Sequence, residues 1–172
     1  MIEPLFNPTD DEWISMVGKY ILNMGSIEFA TRILISIVDA DPKSKNMNGD
    51  LPARLGYLRR KFPREPKEVH SKAMLVFDVA LKHVGFRNIV AHSPIVISGH
   101  ADGSKHIQGI LNLNPRDPNN DGIIGLPELR GRVDESSSIG RDLLQMQKVF
   151  SPASWAAEES PTLTGDQSGL VG

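Results

Sequence analysis

The chain has no cysteine, which removes disulfides, thiolate zinc sites and cysteine nucleophiles together. Aromatic residues make up only 6% of it, and its two tryptophans, Trp13 and Trp155, have no aromatic companions that would form a base-stacking platform. Neither sign of charge prevails. Nineteen Lys and Arg against 21 Asp and Glu give a net charge of -2, so no overall field marks a nucleic-acid or membrane binder, and any such contact has to come from a local patch. Long apolar runs are also missing: the longest mostly aliphatic stretch, 33–38, is far too short to span a bilayer. The first residues, Met1-Ile2-Glu3-Pro4, have neither the basic start nor the apolar run of a leader. These absences lead to the expectation of a soluble, cytoplasmic protein with no membrane partner, and 172 residues at 40% hydrophobic content are enough for one core.

What is present is mostly helical pattern. Thr9-Asp10-Asp11-Glu12 has the form of a capping box. Trp13, Val17, Ile21, Met24, Ile27 or Glu28, Thr31 and Ile35 then recur at helical spacing until Asp41-Pro42. Asp50 is placed to cap a short helix with Leu51, Leu55, Leu58 and Phe62 on one face, ended by Pro63. Pro66 suits a first helical turn, and Val69, Ala73, Val76, Ala80 and Val84 form the stripe of a third helix that stops at Pro94. Two strand-like segments, 95–98 and 106–111, flank Asp102-Gly103 and predict a hairpin. Leu129, Val133, Ile139, Leu143, Met146 and Phe150 outline a last helix, with Ser136-Ser137-Ser138 as a candidate break. The fold expected is mainly α, a bundle of four main helices over 1–150 with a β-hairpin insertion at about 95–113, followed by a disordered tail over 151–172.

Near the end of the third helix, Arg87-Asn88-Ile89-Val90-Ala91-His92 puts three polar side chains into an otherwise apolar window. Asn88 and His92 are one turn apart and share a face, with Arg87 on the turn beside them. A planar guanidinium next to an imidazole suits a phosphate: the first binds it bidentately and the second moves a proton near neutral pH. Glu28, on the stripe of the first helix, needs a partner if it is buried, and Arg87 is the candidate. Between 54 and 72 the chain carries seven Lys and Arg against two Glu. Arg54, Arg59, Arg60, Lys61 and Arg64 within that span are the candidate RNA-binding patch.

Four helices with RNIVAH on the third resemble the HEPN family of small helical bundles, which contains many RNA-cleaving toxins and defence proteins. The resemblance covers about 9–150 in helix order, and its specific part is the hexapeptide. It implies a metal-independent endoribonuclease acting on RNA. Arg87 would hold the scissile phosphate, Asn88 would orient it, and His92 would act as general base on the ribose 2′-hydroxyl, leaving a 2′,3′-cyclic phosphate and a 5′-hydroxyl. It also implies a homodimer whose second copy completes the site, no required cofactor, and an antitoxin or a nucleotidyltransferase as regulatory partner. Where some members carry a modifiable Tyr two residues after the His, this chain has Pro94. Other proteins resembling this family are catalytically silent interaction modules.

A second pattern belongs to another class. The segment 117–128 matches an EF-hand calcium loop: Asp117, Asn119 and Asp121 supply side-chain oxygens, Gly122 the turn, Ile123 its carbonyl and Glu128 a bidentate carboxylate. The segment before it, 107–113, has the pattern of a strand and not of an entering helix. Calcium would act there as a structural clip, or the chain would be a calcium-binding protein.

Overall fold

The computed structural model describes residues 10–99, 101, 103, 105–112 and 122–150. Asp50 accepts the amide of Ala53 at 2.9 Å and opens the short helix α2, Leu51–Lys61, whose Leu51, Leu55 and Leu58 are buried together with Phe62 after it. It is preceded by the long helix α1, Asp11–Val38, and followed by α3, Lys67–His92. Strands β1, Ile95–Gly99, and β2, Lys105–Leu111, form the hairpin, with Gly103 at a φ of 84° in its turn. A two-residue strand β3, Ile123–Ile124, leads into α4, Leu126–Phe150. The molecule is therefore a helical bundle with a small antiparallel sheet, ordered β1-β2-β3, before the last helix. The tail 151–172 lies outside the described residues.

Side-chain bonds fix the helix directions. Glu12 accepts from Arg130 Nε at 2.8 Å, Asn23 Nδ2 donates to the Val133 carbonyl at 3.1 Å, and Gln147 Nε2 donates to the Ala30 carbonyl at 3.2 Å. Hence α1 and α4 run parallel. The Lys72–Asp142 ion pair at 2.6 Å and the His83–Glu135 contact at 2.9 Å set α3 antiparallel to both. The start of α1, the end of α3 and the start of α4 thus share one end of the bundle, and the sheet sits there. Its amide at Ile107 donates to Asp10 Oδ1 at 3.0 Å.

Four expectations change at this level. Asp10 accepts from the sheet and makes no side-chain cap bond to its own helix, and Glu12, expected at the helix start, pairs across to α4; the capping box itself rests on Thr9, which lies outside the described residues. The buried stripe of α1 runs through Tyr20 and Leu34, while Ile21 is exposed. No break occurs at the three serines. Ser136 is buried, donates to the Val133 carbonyl at 2.9 Å and accepts from Asn23 Nδ2 at 3.0 Å, so the helix continues through it. Lastly, α1 as a whole is long and apolar enough to cross a bilayer by length and composition, which the 33–38 run alone is not. Its buried stripe packs within the bundle, and Ile14, Leu22 and Phe29 on its other face are exposed.

Candidate functional site

Phe86, Ile89 and Val90 anchor the last turns of α3 to the core and leave the residues between them facing out. Arg87 is half-buried, Asn88 and His92 are exposed, and Arg87 Nη1 donates to Asn88 Oδ1 at 3.3 Å. The three side chains therefore share the outer side of α3 at the bundle end that also carries the sheet. Asn88 and His92 are one turn apart, about 6 Å along the helix axis at 1.5 Å per residue. That surface can hold an anion on Arg87 and Asn88 while His92 reaches a proton beside it.

Glu28 does not belong to this group. It pairs with Arg54 Nη2 at 3.8 Å, toward the opposite end of α1 from the sheet, whereas Arg87 lies near the level of Tyr20. Eight residues of helix separate the two levels, roughly 12 Å. The expected basic patch is also rearranged. Arg54 is 2% exposed, donating through Nε to Thr31 Oγ1 at 3.1 Å and through Nη1 to the Gly49 carbonyl. It is a core strut and cannot touch RNA. Burial lowers its pKa, as does Arg32 nearby, and Glu28 opposes them. Arg59 is paired with Asp78 at 2.6 Å. Arg60, Lys61 and Arg64 are exposed, and their neighbour Arg59 meets α3 at Asp78, fourteen residues before His92 and roughly 21 Å from it along the helix. The patch and the motif do not meet in one chain.

Sequence reading missed a buried polar network. His83, fully buried on α3, meets the Tyr20 hydroxyl at 3.1 Å through Nδ1 and Glu135 Oε2 at 2.9 Å through Nε2. In the neutral ring, Nε2–H donates to the carboxylate, and the Tyr20 hydroxyl is shared between Nδ1 and the His83 carbonyl, each at 3.1 Å. Burial holds the His83 pKa below its ordinary value, with Glu135 partly opposing, and burial raises that of Tyr20. Arg132 reaches the same carboxylate at 3.3 Å and lies 5.1 Å over the Phe86 ring. With Tyr20 and His83 both sealed from solvent, this network fixes α1, α3 and α4 to one another and does not handle substrate. A signal existed: Tyr20 and His83 each fall on a helical stripe filled mainly by apolar residues.

Beside the motif, a cleft of about 410 Å³ opens between α3, α4 and β3, bordered by Lys82, Gly85, Phe86, Ile89, Glu128 and Arg132. The calcium reading rests on Asp117, Asn119 and Asp121, which lie outside the described residues. Its other two positions are separated in role: Ile123 is an exposed strand residue of β3, and Glu128 is exposed in the first turn of α4. Among the described residues, no group of three or more His, Asp or Glu side chains is placed to hold a metal ion. The chain matches no known family model, no curated protein and no solved structure.

Proposed function

We propose that the protein is a metal-independent endoribonuclease of the HEPN type, cytoplasmic and active as a homodimer. The observation that carries this reading is the surface at the end of α3 made by half-buried Arg87 with exposed Asn88 and His92, Arg87 and Asn88 being bonded to each other. Arg87 and Asn88 hold the scissile phosphate, and His92 takes the proton of the ribose 2′-hydroxyl. The 2′-oxygen attacks phosphorus, the bond to the 5′-oxygen breaks, and that oxygen leaves as a hydroxyl after taking a proton from His92 of the partner subunit. His92 cannot both accept and donate in a single step, so in this reading a second copy supplies the second imidazole. Strand β1 begins three residues after His92, is an outer strand of the sheet, and exposes Ile95 and Ile97. A twofold axis along that edge would set the two motifs beside each other.

The test is cleavage of a mixed RNA pool by purified protein in EDTA, with His92→Ala alongside. His92 is exposed, so the variant keeps its thermal midpoint; cleavage lost with the fold intact supports the assignment, and undiminished cleavage removes it.

A second reading, a non-catalytic interaction module, is favoured by one feature. Leu22 is 73% and Phe29 62% exposed beside a groove between α1 and α4. Apolar surface of that kind marks a partner site. A regulatory antitoxin or nucleotidyltransferase would use the same groove without blocking α3.

A further inference from the structure

We infer that the cleft between α3, α4 and β3 seats one nucleotide of the bound strand, its base on the Arg132 guanidinium and its phosphate on Lys82. As a neighbour to a scissile phosphate this rests on the nuclease reading; as a nucleotide site it stands separately.

The cleft lies in the volume range of small-ligand pockets, which begins at about 300 Å³. Arg132 is pinned from below by the Phe86 ring and from one side by Glu135, so its plane is fixed before anything binds. A fixed guanidinium plane stacks on a base without paying the entropy of ordering a free side chain. Lys82, exposed one turn before Phe86, has no ion pair among the described residues and supplies the charge for a phosphate. Glu128 at the rim is an acceptor for base N–H groups.

Gly85 lines the same cleft. It sits inside α3, where glycine costs about 1 kcal/mol relative to alanine. Apart from its chain neighbours and its own helix backbone, nothing among the described residues lies within 4 Å of the Cβ it lacks. The fold therefore does not need the gap, and the gap is part of the cleft wall. At about 100° per residue, Gly85 and Ile89 lie within roughly 60° of His92 around α3, whereas Arg87 is about 160° from Gly85, so the cleft adjoins the His92 side of the motif.

The experiment is calorimetric titration of the full chain with guanosine 5′-monophosphate in EDTA, on the wild type, His92→Ala, Gly85→Leu and Lys82→Glu. Gly85→Leu fills the cleft from a position with free space and improves helix propensity, so its thermal midpoint holds or rises. The expected result is saturable binding by wild type and by His92→Ala, weakened about tenfold or more in Gly85→Leu and in Lys82→Glu. In RNA cleavage, Gly85→Leu raises KM with little change in kcat, whereas His92→Ala loses kcat. Absence of saturable binding by the wild type, or wild-type binding by Gly85→Leu, overturns the cleft assignment. Binding that follows this pattern in a protein that cleaves no RNA keeps the cleft and overturns the nuclease.

Discussion

His83 carries a measurable pH signature. Its pKa in the folded protein lies below the ordinary 6.5, with burial as the main cause. The unfolded chain therefore takes up the proton first as pH falls. The stabilisation is complete above about pH 6.5 and is lost as pH drops through the folded value. Urea midpoints should fall between pH 7 and pH 5 in the wild type, and the part of that slope due to this ring should vanish in His83→Gln. Arg54 gives a second test. Arg54→Ala leaves Thr31 and the Gly49 carbonyl without their donor and should cost about 2–4 kcal/mol by chemical denaturation, against under about 0.5 kcal/mol for Arg60→Ala. The role of Arg54 was legible and overlooked. It lies three residues after Leu51 and four before Leu58, on the apolar face, but its basic neighbours made it look like part of a surface patch. The chemistry of Arg87, Asn88 and His92 could be proposed from spacing alone because their face depends only on helix geometry. The partner of Glu28 could not, since it depends on how α2 crosses α1.

Among the elements, the sheet is most sensitive at one backbone position. A Cβ on Gly109 would lie 2.1 Å from Ile123 Cγ2 and 2.5 Å from the Ile124 carbonyl oxygen. The second contact is with backbone, which cannot swing aside. Gly109→Ala should therefore detach β3 from β2 and lower stability by about 1–3 kcal/mol, seen as faster amide exchange at Ile110 and Ile124 with α2 unaffected. The four helices and the hairpin were legible because periodicity, caps and prolines are local signals. β3 was not: two residues have no period, and they become a strand only because β2 is there to pair with them. The three serines misled for a related reason, since a buried hydroxyl bonded to Asn23 of another helix leaves no trace in its own neighbourhood.

At the scale of the whole molecule, two apolar surfaces are distinct. One, with Ile95 and Ile97 on β1, adjoins the motif; the other, with Leu22, Phe29 and Leu144, lies between α1 and α4. Ile95→Lys with Ile97→Lys should give a monomer in analytical ultracentrifugation and abolish RNA cleavage, while Leu22→Lys with Phe29→Lys should leave both unchanged. A dimer broken by the second pair and not the first would place the twofold axis away from α3 and remove the shared site. The bundle class was legible from four periodic segments, but the parallel pairing of α1 with α4 was not, because it depends on α3 returning the chain to the end where α1 starts and on the sheet keeping it there. The most direct test of the central claim is the chemistry of the RNA ends made by purified protein in EDTA. The expected ends are 2′,3′-cyclic phosphate and 5′-hydroxyl, and both disappear with His92→Ala. Ends bearing 5′-phosphate, or cyclic ends made equally by the variant, would contradict it.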